Sequence, residues 1–452
     1  MDNTSLSMFL AALSLASVVY VLTKPSMLGF VISGFFFGVA ALSRGNILFA
    51  AIGTALWLVF QKEEACSSRG ALLRCAAFSA GLFTVVGLVF IRNYRVSGDF
   101  VPLTSNAGLN FFIGNNPNTV GTYIEPPFLH GIPDEEFADS KRAAERFAGR
   151  KFTKASEVSR FWFRQGLNFI SNMPGLWLKL LWRKVFLALN WFEIPETYSF
   201  YYFKERYWSL SAAFLGYGLI APLGVLGAAV CFVRGNFSLL HVFFFTYVIS
   251  LSAFFITSRY RFPLIIPLII FSAVLLAQGV ERLKSRSWGG VRSVLISFAG
   301  IAAFCRWTPG WMKYYVVSPS LATPHTIAGY LHLQPAGNVQ LAINELEIAR
   351  GINPGEPNIY AQLGAAYERV GRLDAAVVAL QEAVRRNRYF HEAYNNLAML
   401  YYHQGNYLLA LQAIRSAMEL RPDEPLYQRN YQMMTALPAR KPGSAPPNRR
   451  PE

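Results

Sequence analysis

Hydrophobic and polar positions divide this chain into two kinds of pattern. Up to about residue 307 the apolar residues run in unbroken blocks: Leu6–Leu22, Met27–Leu42, Ile47–Phe60, Leu72–Ile91, Ala212–Val233, Phe237–Thr257, Leu264–Val280 and Val291–Trp307. Few or no charges interrupt them. A helix needs ~20 apolar residues to cross ~30 Å of hydrocarbon. The blocks at 72–91, 212–233 and 237–257 are long enough outright, and those at 47–60 and 291–307 are short. The pattern predicts an all-α protein with a polytopic membrane domain of about eight apolar segments.

The interval 92–210 reads differently. It opens with "IRNYRVSGDFVPLTSNAGLNFFIGNNPNTVGTY", rich in Gly, Asn and aromatics, which predicts turns and short extended pieces. In "EEFADSKRAAERFAGRKF", Phe137, Ala144 and Phe147 recur at helical spacing among charges. In "PGLWLKLLWRKVFLALNWFEIP", Trp177, Lys179, Trp182, Arg183 and Lys184 suit a helix in the membrane interface, with indoles at headgroup depth and lysines snorkelling.

Past residue 320 the chain repeats itself. "YAQLGAAYERVGRLDAAVVALQEAVRRN" aligns with "YNNLAMLYYHQGNYLLALQAIRSAMEL" at an offset of 34 residues. Tyr360/Tyr394, Leu363/Leu397, Tyr367/Tyr401, Gly371/Gly405, Ala376/Ala410, Ala379/Ala413 and Ala383/Ala417 coincide. An earlier piece, "AGNVQLAINELEIARGINP", keeps Gly337, Ala342, Ala349 and Pro354 in phase. Small alanines let paired helices approach, Gly turns the chain between them, and Tyr and Leu fill a stacked core. These units resemble tetratricopeptide repeats. The expected domains are therefore 1–91 with four apolar segments, an extracytoplasmic loop domain over 92–210, four more segments over 211–307, a linker over 308–323, an α-solenoid over 324–436, and a Pro-rich, basic, disordered tail over 437–452.

Composition agrees with this division. With 53% hydrophobic and 15% charged residues, 37 Phe, 22 Tyr and 9 Trp, the chain is too apolar for an ordinary soluble enzyme. The net charge of +16 is spread over membrane-flanking loops and the C-terminal region, with no dense basic patch. That points to lipid headgroups or phosphates and away from nucleic acid. Of the four cysteines, Cys66 and Cys75 flank a short loop, while Cys231 and Cys305 lie in apolar blocks. The six histidines form no ligand-spaced pair, which gives a protein metal site little support. The start, "MDNTSLS", lacks the basic region of a cleavable signal peptide.

Loop charge orients the spans. Lys62 and Arg69 with Arg74, and Arg282, Lys284, Arg286 and Arg292, mark two short loops as cytoplasmic. The segment 92–210 and "SRYRFPLIIPLII" then lie outside, and so do the repeats if block 291–307 spans. Arg259 and Arg261 therefore sit outside, against the positive-inside bias. Pro263 should push the preceding residues towards extended geometry. An Arg fork in such a turn at headgroup depth would hold a phosphate. The bland reading is a pair of snorkelling anchors. Asn115 and Asn116 are turn formers on one reading and sugar hydrogen-bonding groups on the other, with Phe111 or Phe112 stacking on the sugar. The tyrosines at 360, 367, 394 and 401 read as repeat core.

Taken in order, "GVAALSRGNILFA", "RNYRVSGDFVPLTSNAGLNFFIGNNP", "NMPGLWLKLLWRKVFLALNWFEIP" and "SRYRFPLIIPLII" resemble the bacterial GT-C membrane glycosyltransferases, in the group related to protein mannosyltransferases and aminoarabinose transferases. The resemblance covers roughly residues 1–307. It implies an inner-membrane enzyme that moves a sugar from a polyprenyl-phosphate donor to an extracytoplasmic acceptor, with a protein partner or acceptor recruited through the repeats. It implies donor-phosphate binding by Arg259, Arg261, Lys184 and Arg44, where Gly45 replaces the proline of the family's Arg-Pro turn, and sugar or acceptor contacts by Asn115, Asn116 and Glu193. Glu193 could instead orient a neighbouring arginine. The family's catalytic carboxylate stands in an acidic loop that this chain lacks. Asp2, Asp99, Glu125, Asp134 and Glu136 are available, but none stands in that motif. The expectation is an N-terminally truncated chain, ahead of an inactive relative or one whose base comes from a second polypeptide, with a divalent metal only where the acidic loop is present. The alternative is a non-catalytic, membrane-anchored repeat scaffold for a cell-envelope complex. A transporter fits less well, because the block interiors are nearly free of charge.

Overall fold

A computed structural model of the protein describes residues 4–61, 68–101, 104–129, 135–195, 200, 216–235 and 238–436. Asp2, Lys62, Cys66, Asp134 and the tail at 437–452 lie outside the described residues, as does most of 196–215. The chain forms two compact units, Met1–Val316 and Val317–Glu452. Among the described residues it is almost wholly helical, with one isolated parallel bridge between Thr122 and Ile256.

The first unit opens with α1 (Thr4–Thr23), α2 (Met27–Ser43), α3 (Ile47–Phe60) and α4 (Ser68–Ser97). Glycines set how closely α2 and α4 cross. A Cβ on Gly34 would lie 1.8 Å from the Phe78 carbonyl oxygen, and one on Gly81 would lie 1.9 Å from that of Val31. Only residues without a side chain let these two backbones touch.

The next helices are α5 (Ala107–Gly114), α6 (Glu136–Ala148), α7 (Ala155–Asn172) and α8 (Pro174–Leu189). They gather a core of Leu109, Ile113, Ala144, Phe152, Val158 and Trp162. The Trp162 ring stacks on Phe128 at 4.8 Å between centroids and meets Phe112 at 4.8 Å. α5 corrects the expectation of turns and extended pieces here. "AGLNFFIG" buries Leu109 and Ile113 on one face, and Gly108 lets the helix rest on the Ser159 carbonyl. Packing overrides a turn-rich composition.

The first unit closes with α9 (Tyr217–Val233), α10 (Ser238–Ala253), α11 (Ser258–Lys284) and α12 (Trp288–Arg306). Among the described residues, four helices are long and apolar enough to cross a membrane: α1, α4, α11 and α12, with 20, 30, 27 and 19 residues. The remaining apolar blocks make shorter helices, α2, α3, α9 and α10. The expected eight segments are thus present as apolar helices, but four reach spanning length. Block 237–257 falls short because the chain leaves the helix at Ala253, where the Ile256 N–H turns to donate to the Gly121 carbonyl. Block 291–307 gains length because Trp288, Gly289 and Gly290 join its first turn.

The "SRYRFP" stretch is also corrected. Ser258–Arg261 is a helical turn that runs through a 3-10 turn at Phe262–Leu264 into the rest of α11. Pro263 lies in the 3-10 turn and Pro267 is the third residue of the regular α-helical stretch that begins at Ile265, positions of a first turn where proline costs little.

In the second unit, helix hairpins succeed one another: α13 (Ser318–His332) with α14 (Val339–Ile352), α15 (Pro357–Arg369) with α16 (Leu373–Arg386), and α17 (His391–His403) with α18 (Tyr407–Leu420). A last helix, α19 (Pro425–Thr435), lies on α18. Gly371 and Gly405 turn the chain at φ +74° and +79°, a conformation costly for any residue with a Cβ. Tyr360, Leu380, Leu397, Leu400, Ile414 and the phased alanines form the stacked core. The segment expected as a linker, 308–323, is largely helical. Its Ala322 packs with Ile343 and Leu346, within the compact unit that begins at Val317.

Candidate functional site

Most of the residues singled out from the sequence converge on the start of α11, but they do three different jobs. Arg261 is 1% exposed. Its Nη1 donates to the carbonyls of Leu187 (3.0 Å) and Asn190 (2.6 Å). Its Nη2 donates to the Phe192 carbonyl (2.8 Å), the Ser258 hydroxyl (2.9 Å) and a Glu193 carboxylate oxygen (3.2 Å). The guanidinium also lies 4.3 Å from the Tyr217 ring centroid. A helix C-terminus leaves carbonyls without intrahelical partners, and the segment after α8 adds more. Arg261 satisfies them with the planar fork that lysine lacks. The fork that the resemblance assigns to a donor phosphate is therefore engaged by the chain's own carbonyls, and Glu193 orients it.

Lys184 forms a second tie. It is fully buried, and its Nζ donates to the Ser252 carbonyl (2.9 Å) and to Asn115 Oδ1 (3.2 Å). Burial pushes its pKa down to about 7. Asn115 in turn donates from Nδ2 to the carbonyls of Phe111 and Ala253. Gly121, at φ +110°, lies against the Lys184 side chain. Lys184 thus ties α8 to the ends of α5 and α10. Asn116 donates to the carbonyls of Phe112 and Ile113 and accepts from the Asn118 N–H. Both asparagines close the end of α5, which is the turn-former reading; their Nδ2 groups are spent on main-chain carbonyls.

Arg44 and Arg259 meet at one ring. The guanidinium carbon of Arg44 is 5.0 Å from the Tyr260 centroid, and that of Arg259 is 5.3 Å from it. Arg44 is 5% exposed and donates from Nε to the Ser7 hydroxyl and from Nη2 to the Thr4 hydroxyl. The Tyr247 hydroxyl fixes the turn by donating to the Tyr260 carbonyl (3.0 Å). Arg44 and Arg259 thus approach one aromatic ring at the head of a 27-residue apolar helix. Sequence reasoning chose both arginines but missed the tyrosine between Arg259 and Arg261, whose ring meets Arg44 at the end of α2.

Two of the acidic candidates, Asp99 and Glu136, are bonded within the loop domain. Asp99 is buried and accepts from the Ser156 N–H (2.7 Å), the Ser156 hydroxyl and the Phe100 N–H (2.8 Å). Burial alone would raise this carboxyl, but the hydrogen bonds from Ser156 and Phe100 outweigh it and hold the pKa below the usual range. Asp99 caps the start of α7 from a distance. Glu136 accepts from Asn106 Nδ2 at 3.2 Å, and burial raises its pKa. Among the described residues no group of three or more His, Cys, Asp or Glu side chains is placed to hold a metal ion.

Comparison with known proteins identifies the second unit. Residues 357–390 and 391–424 each match a model of the tetratricopeptide repeat. These matches coincide with the hairpins α15–α16 and α17–α18. No curated protein matches the chain. Among solved structures, the first tetratricopeptide domain of Spaghetti (RPAP3) bound to the HSP90 peptide SRMEEVD is 17% identical, with a TM-score of 0.25 over 26% of this chain and 93% of that one. The Cut9–Hcn1 hetero-tetramer of the APC/C is 12% identical, with a TM-score of 0.25 over 96% of this chain and 84% of that one.

Proposed function

We propose that this protein is a membrane glycosyltransferase of the GT-C type. It takes its sugar from a polyprenyl-phosphate donor, and its tetratricopeptide repeats engage a protein partner. The observation that carries the reading is the meeting of Arg44 and Arg259 at Tyr260, at the head of a helix long and apolar enough to cross a membrane. A lipid-linked phosphate needs cations at that depth, with apolar helix beneath them for its chain. Lys184 and Arg261 support the site indirectly, by tying α8, α10 and α11 together behind it. In this reading Arg44 and Arg259 hold the phosphate, and the acid that activates the acceptor lies outside the set of residues gathered here.

The test is binding by the full chain in lipid nanodiscs, comparing a polyprenyl phosphate with the uncharged polyprenol of the same length. The phosphate should bind at least about tenfold more tightly, since a charged hydrogen bond contributes ~1.5–3 kcal/mol and ~1.4 kcal/mol is tenfold. Arg44→Gln with Arg259→Gln should erase that preference. Equal binding of the two lipids, or a double variant that keeps the preference, would refute the reading.

The second reading, a membrane-anchored repeat scaffold, draws on the two matched repeats. Tetratricopeptide arrays work by holding other proteins on an extended surface. It expects the double arginine variant to keep cellular function and deletion of 317–436 to abolish it; the reverse pattern favours the transferase.

A further inference from the structure

The turn that carries Arg259 and Tyr260 hangs from the end of α10 by a strap, residues 254–257. Hydrogen bonds hold that strap along its length. Where it leaves α10, the last carbonyls of the helix have no intrahelical partner. Lys184 Nζ donates to the Ser252 carbonyl (2.9 Å), and Asn115 Nδ2 donates to that of Ala253 (2.8 Å). The two side chains are themselves joined, since Lys184 Nζ also donates to Asn115 Oδ1 (3.2 Å). Further along, the Ile256 N–H donates to the Gly121 carbonyl (2.8 Å) and the Ser258 N–H to that of Ile194 (2.9 Å). The Thr257 carbonyl then accepts from the N–H groups of Tyr260 and Arg261 (both 3.2 Å), which starts the turn.

The group that grips the near end is an unusual choice. Lys184 is fully buried, and its surroundings are neutral: the Asn115 amide from α5, the Gly121 backbone, and the Ser252 carbonyl from α10. Charged groups of the adjoining turns are engaged elsewhere. The Arg183 guanidinium lies 4.7 Å from the Trp311 ring, and Arg261 is paired with Glu193 at 3.2 Å. An ammonium brings three N–H donors and a charge, whereas a neutral amine brings two donors. Two acceptors without a counter-ion match the neutral amine. An unpaired charge is so costly to bury that the group gives up its proton instead. Burial accordingly brings the pKa of Lys184 down to about 7, so the two forms exchange near neutral pH.

We infer that Lys184 is a positioning residue that holds the cation turn as a neutral amine, and that taking up a proton releases the strap and weakens the grip of the turn on a lipid phosphate. The inference rests on the donor reading above and adds to it a regulation of the same site by pH. Lys184 does not touch the phosphate; it acts through Ser252, the strap and Ser258. Protonation puts a charge and a third donor where the fold offers neither counter-ion nor further acceptor. Opening the tie lets water solvate the ammonium. The Ser252 and Ala253 carbonyls then lose their fixed place, and Tyr260 loses the position at which Arg44 and Arg259 meet its ring.

The experiment uses the full chain in lipid nanodiscs at pH 8 and pH 6, as wild type and as Lys184→Met, which cannot titrate. Hydrogen exchange, corrected for the intrinsic pH dependence of amides, reads the protection of the Ile256 and Ser258 N–H groups in peptides covering 252–261. Binding reads the preference for polyprenyl phosphate over polyprenol; the phosphate's own titration is common to both proteins and cancels between them. In wild type, protection and preference should each fall roughly tenfold from pH 8 to pH 6, because one pH unit on either side of the pKa inverts a ~tenfold ratio of the two forms. Lys184→Met lacks the tie at any pH, so both readouts should be low and, with the ligand's titration subtracted, flat. Equal wild-type protection at the two pH values would overturn the inference without appeal to the variant. So would a pH-dependent loss that persists undiminished in Lys184→Met, because another group would then carry it. A strap that opens at pH 6 while the preference moves no more in wild type than in Lys184→Met would break the coupling to the site. Equal binding of the two lipids at pH 8 would refute the donor reading itself, and the link from strap to phosphate with it.

Discussion

The two units of this chain use charge in opposite ways. In the repeats, charged groups pair at the surface one helical turn apart: Arg350 with Glu347, and Arg385 and Arg386 with Glu382. The fold beneath them comes from Leu346, Leu380, Leu397 and the small alanines. In the first unit, Lys184 and Arg261 are buried and bonded chiefly to main-chain carbonyls of segments distant in sequence. The difference teaches where a charge is structural. A surface pair adds to helices that already have their core, whereas a buried cation replaces the hydrogen bonds that irregular chain cannot make to itself.

The sharpest way to break this contrast is Arg261→Met. The substitution keeps bulk but leaves the carbonyls of Leu187, Asn190 and Phe192, and the Glu193 carboxylate, without their donor. Removing one partner of a buried charged network costs ~3–5 kcal/mol. Thermal unfolding of the purified protein, followed by intrinsic fluorescence, should show a marked fall in the midpoint of the first unit. Arg261→Lys should recover only part of it, because one ammonium cannot span carbonyls that the planar fork bridges. A midpoint unchanged in Arg261→Met would mean that Arg261 is a spectator here and is available to a ligand.

This contrast also explains how much was legible beforehand. Tyr360 and Tyr394, Gly371 and Gly405, and the phased alanines announce the repeats, since each repeat solves the same local packing problem at the same spacing. The apolar blocks announce their helices for a similar reason. What the pattern missed was set by contacts far apart in sequence. Nothing around Ala253 signals that the chain must leave its helix to reach Gly121, so an apolar run long enough to span yields a 16-residue helix. Arg261 and Lys184 could be chosen as unusual cations, but their acceptors are main-chain carbonyls, which have no sequence signature. Hence the contacts that these two cations make with the chain itself lie beyond what the sequence pattern can carry. Pro263 misleads in the opposite sense: proline disfavours helix in the residue before it, yet here Ser258–Arg261 is a helical turn that passes through the 3-10 turn at Phe262–Leu264.

Lys184 gives a smaller effect with a definite sign. Its folded pKa, about 7, lies below the ~10.4 of an exposed lysine. Between those values the unfolded chain holds a proton that the folded chain has released, so stability rises with pH across that window. Below pH 7 the side chain is charged in both states and its burial weighs fully against folding. The midpoint of the wild-type protein should therefore climb from pH 7 to pH 9 relative to Lys184→Met, which has nothing to titrate there. Parallel curves for the two proteins would show that Lys184 keeps its proton, held by Asn115 and the Ser252 carbonyl, and would set it beside Arg261 as a permanent charge.

The smallest effect belongs to the repeats. Arg350 lies in the last turn of α14, where a cation also meets the free carbonyls of the helix end. Its Nη2 is 2.6 Å from a Glu347 oxygen, but the two side chains are 49% and 30% exposed, and water competes for both. Glu347 has a second partner, the Tyr367 hydroxyl, which donates to its other oxygen at 2.7 Å. Arg350→Ala should accordingly shift stability by no more than ~1 kcal/mol, and the shift should shrink further in high salt. Urea unfolding of the full chain, followed through the repeats, checks this against Arg261→Met in the same buffer. A loss in Arg350→Ala that rivals the buried arginine and resists salt would mean that the repeats too depend on a fixed cation, and that the division drawn between the units is one of degree.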